Sequence, residues 1–135
     1  MSGDFIPMGE FPTGCHRPLD LASAPWDKGL HAFFKAHGEW SEATFGSTAE
    51  RGPVGPLKHM VKEIEEELLP DTTRLAEYCD LLLLLCDATR RAGFTSEQLL
   101  EAAWAKLEIC KGRTWPKAPN DAPVEHVHQE GEKEL

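Results

Sequence analysis

The clearest pattern in the sequence is a run of apolar residues at steps of three and four, the spacing that places side chains on one side of a helix. The residues with this spacing are Leu57, Met60, Val61, Ile64 and Leu68. Pro56 is acceptable in the first turn of a helix, whereas Pro70 cannot continue one. The pattern therefore predicts a helix that begins near Pro56 and ends at Pro70.

A second apolar repeat follows almost at once. Its members are Leu75, Cys79, Leu82 and Cys86. Asp71 is a candidate N-cap for this helix, and Gly93 is a candidate C-terminal cap. Further leucines at positions 81 and 83–85 make the helix apolar on most sides. We therefore expect it to be the central, buried helix of the fold.

Weaker patterns predict one more helix on each side of this pair. The first spans about residues 25–45, with a candidate break at Gly38, and a loop covers residues 46–55. The last begins at Thr95, which forms a capping box with Gln98, and ends near residue 112. No segment alternates as a strand would. The predicted fold is all-α, an antiparallel helical bundle with short connections.

The two ends of the chain have the composition of flexible tails. Residues 1–24 are rich in proline and glycine, and residues 117–135 combine prolines with a charged end. These tails leave one helical domain over residues 25–116. His126 and His128 lie in the second tail, where two histidines are usually solvated rather than bound to a metal.

Composition and charge exclude several classes of function. The chain has 135 residues, 41% hydrophobic and 27% charged, which is ordinary for one globular domain. Its net charge of −9 would repel a nucleic-acid backbone, so we expect no nucleic-acid partner. The longest apolar run, residues 81–86, is too short for a membrane span. Four cysteines without a CxxC pair indicate reduced thiols and a cytoplasmic protein.

Candidate chemistry is concentrated in four acidic residues on the two central helices. Glu63 and Glu66 are three residues apart, and so are Glu77 and Asp80. Residues at this spacing share a helix face. A short turn between the helices predicts a hairpin that brings the two pairs together. A cluster of carboxylates suits Mg²⁺ or Mn²⁺, because these ions prefer oxygen ligands.

An alternative interpretation is that Glu63 and Glu66 belong to a solvated charged face, as in most glutamate-rich helices. Asp80 favours the metal site, because it lies within an apolar segment where we expect it to be buried. A buried acid requires a partner. Arg74 is an alternative structural partner for Glu77.

The pattern Glu63-x-x-Glu66, ten residues, then Glu77-x-x-Asp80 resembles the metal motif of the MazG-like all-α nucleoside triphosphate pyrophosphohydrolases. Flanking segments resemble a phage-rich branch of that family, described as dATP/dGTP diphosphohydrolases. These segments are Trp40-Ser41-x-x-Thr44-Phe45-Gly46, Gly55-Pro56-Leu57-x-His59, Lys106 and Arg113-x-Trp115-Pro116. In many members two adjacent glutamates begin the motif, whereas here Lys62 precedes Glu63. Glu67 and Asp87 are candidates for an additional oxygen ligand.

The resemblance implies a set of catalytic residues. Glu63, Glu66, Glu77 and Asp80 would hold two or more Mg²⁺ or Mn²⁺ ions, which bind the phosphates and activate water. Lys106 is a candidate to stabilise charge on the phosphates.

Further residues are implied for substrate binding. Arg113 would join Lys106 at the phosphates, and each could equally be a surface charge near a helix end. Trp40, Ser41 and Trp115 are candidates for the base pocket. Phe45 is a further candidate, although core packing is the simpler interpretation for it. His59 could contact a phosphate, but a single histidine near a helix start is usually incidental.

The reaction implied by the resemblance is cleavage of a purine nucleoside triphosphate, dGTP/GTP or dATP, to the monophosphate and pyrophosphate. It would control a nucleotide pool, in a host cytoplasm if a phage encodes the chain. The resemblance also implies a homodimer or homotetramer. Two alternatives are the same reaction on a pyrimidine nucleotide, and a non-catalytic helical module for interaction or metal binding.

Overall fold

The computed structural model describes residues 29–118 and 120–131, which form two compact units with a boundary between Ser96 and Glu97. The described helices are α1 (Gly29–Phe45), α2 (Val54–Glu63), α3 (Leu75–Arg91) and α4 (Ser96–Gly112), with a π-helical turn over Ile64–Leu68. The described residues contain no strand, which confirms the all-α prediction. None of their helices is long and apolar enough to cross a membrane. The predicted N-terminal tail lies outside the described residues.

Helix α1 is uninterrupted, so the predicted break at Gly38 is wrong. Gly38 is buried against α3, where a Cβ atom would lie 2.7 Å from Cδ of Arg90. The glycine is needed for this close approach and does not break the helix. Gly46, with a φ of +96°, ends α1, and its N–H donates to the carbonyl of Glu42.

Helix α2 begins at Val54, two residues before the predicted start, because Pro53 occupies the N-cap and Pro56 falls in the first turn. The helix changes at its end into the π turn. There the N–H of Leu69 donates to the carbonyl of Ile64, a step of five residues at 2.9 Å.

The connection to α3 is short, and α2 and α3 pack as an antiparallel hairpin. Asp71 is not the N-cap of α3, which begins at Leu75 after Arg74. Its Oδ1 instead accepts hydrogen bonds from the backbone N–H and hydroxyl of Thr73, at 3.1 and 2.6 Å, which fixes the turn itself. Gly93 ends α3 as predicted, in a Schellman motif.

Helix α3 is central among the described helices of the first unit, as predicted, but it is not buried on most sides. The apolar residues buried in the first unit include Phe34, Pro56, Leu68, Cys86 and Ala88. Along the outer side of α3 lie four apolar residues that are each more than 40% exposed: Leu75, Tyr78, Leu82 and Leu85. Among the described residues of this unit, α1 and α2 pack against α3, and they do not cover this side.

The second unit contains α4 from Glu97 onward and the segment after it. The described part of residues 117–135 has no helix or strand, yet it folds back within this unit. The backbone N–H of Val127 donates to the carbonyl of Thr114 at 2.9 Å, and the rings of Trp115 and His126 are 5.6 Å apart.

Candidate active site

The α2–α3 hairpin brings three of the four predicted acidic residues together. Glu63 is the last residue of α2, and Glu77 and Asp80 lie in the first two turns of α3. One carboxylate oxygen from each lies within 4.8 Å of the others. This spacing allows one cation to contact all three carboxylates.

Glu66 is not in this group. It lies in the π turn, is exposed, and has Oε2 4.0 Å from Nζ of Lys62. The prediction for Glu66 assumed an uninterrupted α-helix. The wider π turn shifts the direction of the residues that follow Glu63.

The carboxylate cluster has an excess of negative charge. Glu77 is buried and forms an ion pair with Arg74, as the sequence suggested, and Arg74 also pairs with Glu67. Burial raises the pKa of Glu77; Arg74 opposes this change, and the charge of Asp80 adds to it. A bound cation would relieve the repulsion that remains.

Asp80 lies on the open side of the cluster, so the expectation that it is buried is wrong. Partial desolvation nevertheless raises the pKa of its carboxyl, and the nearby charge of Glu63 raises it further. The donor set of Glu63, Glu77 and Asp80 is made of carboxylate oxygens with too little positive charge nearby. These residues therefore fit a hard divalent cation such as Mg²⁺ or Mn²⁺.

A cleft of about 240 Å³ opens beside this cluster. Its acidic end contains Glu63, Asp80 and His59, and Nε2 of His59 lies 2.8 Å from Oε1 of Glu63. His59 therefore contacts one member of the carboxylate cluster. The other residues that line the cleft are His37, Trp40, Phe45, Leu83, Leu84 and Asp87.

The aromatic end of the cleft is formed by the last turns of α1. The ring of Trp40 meets that of Phe45 edge to face at 5.5 Å and that of His37 at 5.7 Å. The guanidinium of Arg51 lies 5.5 Å from the centre of the Phe45 ring. Phe45 is half exposed, so the interpretation of Phe45 as a core residue is wrong. These rings offer a surface on which a base can stack.

Ser41 is fully buried beneath this end of the cleft. Its Oγ donates to Oδ1 of Asp87 at 2.6 Å and accepts from Nη2 of Arg91 at 3.0 Å. The geometry gives Ser41 a positioning role towards Asp87, rather than a hydroxyl directed at a ligand. Both carboxylate oxygens of Asp87 accept hydrogen bonds from arginines, because Arg90 donates to Oδ1 and Arg91 donates to Oδ2. It is therefore not an additional metal ligand.

The pKa of Asp87 shows that this network favours the carboxylate. Burial alone would raise that pKa, but hydrogen bonds from Ser41, Arg90 and Arg91, together with the charge of Arg91, hold it below its usual value.

Arg91 was not singled out by the sequence, although it fastens the loop after α1. Besides Asp87 and Ser41, its guanidinium donates to the backbone carbonyls of Gly46, Ser47 and Arg51, at 3.1, 3.3 and 2.9 Å. All five of its N–H groups are therefore used, and its side chain has no exposed surface. The available signal was Asp87 four residues before Arg91 on a helix expected to be buried.

Three predicted site residues, Lys106, Arg113 and Trp115, lie in the second unit. Lys106 is exposed on α4. Arg113 directly follows α4, and its backbone N–H donates to the carbonyl of Cys110 at 3.2 Å. The indole N–H of Trp115 donates to the same carbonyl at 2.8 Å.

The residues that form the carboxylate cluster and the cleft lie within a segment that matches a known protein family. The sequence profile of the dATP/dGTP pyrophosphohydrolase family matches residues 33–133. The chain belongs to the dATP/dGTP pyrophosphohydrolase family. Members of this family are hydrolases that act on acid anhydrides. The match begins within α1 and extends into the segment after α4, so it includes both units.

A curated phage protein is similar over most of the chain. The Eaa protein of Salmonella phage P22 is 42% identical over 116 residues, which are 84% of this chain and 35% of that protein. The chain thus spans about a third of the length of this relative. No solved structure matches it significantly.

Proposed function

We propose that the chain is a metal-dependent pyrophosphohydrolase that cleaves a purine deoxynucleoside triphosphate, dGTP or dATP, to the monophosphate and pyrophosphate. This proposal rests on one observation: the carboxylate cluster and an aromatic surface lie at two ends of the same cleft. Glu63 and Asp80 belong both to the carboxylate cluster and to the lining of a cleft whose other end is aromatic. A nucleotide has the same two parts, an anionic chain and a flat ring.

The carboxylates have the first role in this reaction. Glu63, Glu77 and Asp80 would hold Mg²⁺ or Mn²⁺, and the family pattern proposes Glu66 as a fourth ligand. Bound ions supply charge for the phosphates and lower the pKa of a coordinated water. Arg74 holds Glu77, and His59 hydrogen-bonds to Glu63, so both orient the ligand carboxylates.

The remaining substrate contacts are proposed from the family resemblance and from side-chain chemistry. Trp40 and Phe45 stack on the base. Lys106 and Arg113 stabilise negative charge on the phosphates, and Trp115 contributes to the base pocket. The reaction takes place in the cytoplasm, that of the host if a phage encodes the chain.

We further propose that a second copy of the chain covers the outer side of the hairpin, which gives a homodimer or, by further pairing, a homotetramer. Among the described residues of the first unit, few apolar side chains are buried, which makes a small core. Besides the exposed apolar residues of α3, α2 and the start of the π turn carry a similar row at steps of four and three, Leu57, Val61 and Ile64. Rows of this kind on neighbouring helices are typical of a subunit interface.

A nucleotide panel tests the proposed reaction. The purified full chain is incubated with Mg²⁺ or Mn²⁺ and each common NTP and dNTP, and nucleoside monophosphate, pyrophosphate and orthophosphate are measured separately. We expect monophosphate and pyrophosphate in equal amounts, with purine deoxynucleotides turned over fastest.

Two matched variants accompany the panel. Asp80→Asn removes a cluster carboxylate, and we expect a loss of about 100-fold or more in kcat. Glu65→Gln changes an exposed glutamate of the π turn, outside the cluster, and should retain activity. Release of orthophosphate alone, or no turnover by folded protein with metal, would exclude the proposal and favour a non-catalytic helical module. Preferred turnover of pyrimidine nucleotides would exclude the purine assignment only.

A further inference from the structure

His37 is a half-buried histidine at the aromatic end of the cleft that makes no hydrogen bond. Its ring stacks against Phe33 with centroids 6.4 Å apart and contacts Trp40 at 5.7 Å. Neither ring nitrogen is bonded to another described residue, and Nδ1 is fully buried. Nε2 has no partner and is the ring nitrogen that is not fully buried, so it is the atom of His37 that can hydrogen-bond to a molecule in the cleft.

The other polar side chains of the cleft are already occupied or lie elsewhere. Glu63 and Asp80 belong to the metal cluster, and His59 contacts Glu63. Asp87 accepts hydrogen bonds on both oxygens. Among the described residues that line the aromatic end, His37 and the indole of Trp40 are therefore the side chains with unused hydrogen-bonding capacity.

The position of His37 along the cleft suits a base. Asp80 and Asp87 are seven residues apart on α3, which is about 10 Å along the helix axis. Asp87 is close enough to His37 for its charge to affect the imidazole. A nucleotide with its phosphates near Asp80 therefore extends its base towards His37.

The environment of His37 favours a neutral ring with its hydrogen on Nε2. Burial lowers the pKa of His37; the charge of Asp87 opposes this change, and the charges of Arg90 and Arg91 add to it. Of the two nitrogens, only Nε2 remains accessible. Burying an unpaired acceptor is tolerated better than burying an unpaired N–H, so the buried Nδ1 is the unprotonated nitrogen.

We propose that the Nε2–H group of His37 donates a hydrogen bond to N7 of a purine base held in this cleft, which makes His37 a specificity-determining residue. The inference rests on the proposed function, because the base is that of the triphosphate substrate. Adenine and guanine both present N7 as an acceptor, whereas cytosine and thymine have no N7. A single donor at this position accepts both purines, in agreement with a family named for dATP and dGTP.

The test uses 7-deaza-dGTP and 7-deaza-dATP, in which a C–H group replaces N7 and the triphosphate is unchanged. For the wild-type chain with Mg²⁺, we expect kcat/KM to fall about three- to tenfold from each natural nucleotide to its 7-deaza analogue, the effect of one neutral hydrogen bond. In His37→Phe, which keeps an aromatic ring, the natural nucleotide should fall to the level of the analogue and the ratio should become about one.

Two control variants separate His37 from its neighbours. Trp40→Phe removes the other unused donor and should keep the 7-deaza penalty. His59→Phe should lower turnover of both nucleotides equally, because it affects Glu63 and not the base. Thermal melts confirm that each variant folds. Absence of a penalty in the wild type, its persistence in His37→Phe, or its loss in Trp40→Phe would overturn the proposal.

Equilibrium binding measurements distinguish a failure of the proposed hydrolysis from a failure of the proposed His37 contact. If the wild type hydrolyses no triphosphate, the proposed function fails, and calorimetric binding of dGMP and 7-deaza-dGMP then tests His37 directly. Tighter binding of dGMP that depends on His37 supports the contact. Equal binding, or no binding of either nucleotide, contradicts it.

Discussion

Arg91 and Asp87 form a buried ion pair one helical turn apart, with Nε 3.0 Å from Oδ2 and no exposed surface on the arginine side chain. Buried pairs of this kind are costly to break from one side, because the remaining charge has no compensation.

Removing the carboxylate should therefore destabilise the fold strongly. We expect Asp87→Ala to lower the free energy of unfolding by about 3–5 kcal/mol, since Arg91 would lose its carboxylate partner and Arg90 one of its two. Urea denaturation followed by circular dichroism measures this change. Asp121→Ala, on an exposed aspartate of the second unit, is the control and should change stability by less than about 0.5 kcal/mol. Similar midpoints for the two variants would contradict the structural role of Asp87.

The same carboxyl should make stability depend on pH at the acid end. The pKa of Asp87 is lower in the folded chain than in the unfolded chain, so the unfolded state binds its proton first as pH falls. Its stabilising contribution is complete above the ordinary aspartate pKa of about 3.9 and is lost as pH falls through the lower folded value. The stability difference between wild type and Asp87→Asn should therefore narrow below about pH 4. If the stability difference between the two proteins did not change with pH in that range, Asp87 would not be ionised in the folded chain.

Asp80 should behave in the opposite way in metal-free protein. Its folded pKa is raised, so above that value the ionised carboxylate costs stability, and the cost disappears at more acidic pH. Asp80→Asn in EDTA should consequently have a higher Tm than the wild type at pH 7 and a similar Tm well below pH 4. Added Mn²⁺ should reverse the order, because metal that binds only the folded state stabilises the wild type by about 2.7 kcal/mol at 100 times Kd. An unchanged wild-type Tm with Mn²⁺ would exclude a metal site in this cluster.

Gly38 should tolerate no side chain. A Cβ atom there would overlap Arg90, so we expect Gly38→Ala to destabilise the chain by about 1–3 kcal/mol despite the better helix propensity of alanine. Gly112→Ala is the matched control, because a Cβ atom would meet nothing within 4 Å at this position. Chemical denaturation of the two variants should show a loss of stability only for Gly38→Ala.

If the proposed subunit interface exists, a charged side chain placed within it should dissociate the oligomer. Leu82→Glu introduces a carboxylate into the exposed apolar side of α3, and we expect a monomer by size-exclusion chromatography with light scattering where the wild type is a dimer or tetramer. Leu69→Glu, on a more exposed leucine in the α2–α3 connection, should leave the oligomer intact. A monomeric wild type at micromolar concentration would exclude the interface.

Local periodicity was sufficient to predict the hairpin and the meeting of Glu63 with Glu77 and Asp80. These features depend on residues close in sequence and on a short connection. The orientation of Glu66 was not predictable in this way, because the apolar row from Ile64 to Leu68 has the same spacing in an α-helix and gives no sign of the π turn.

Contacts between segments that are far apart in sequence could not be predicted from sequence patterns. Ser41 and Asp87 are 46 residues apart, and each alone is an ordinary polar residue on a helix. Gly38 was interpreted as a helix breaker because its close neighbour, Arg90, comes from another helix. The exposure of Asp80 and of the outer side of α3 likewise depends on which sides α1 and α2 cover.

The five hydrogen bonds of Arg91 have a consequence for substrate affinity. Three of them end on carbonyls of the loop that follows Phe45, so opening this loop would leave three buried N–H groups of the guanidinium without an acceptor. The loop is thus already ordered when the chain has folded, and the conformational entropy of fixing it is lost during folding rather than during nucleotide binding. The aromatic wall of the cleft is preorganised, so in the proposed function a base would find its stacking surface in place.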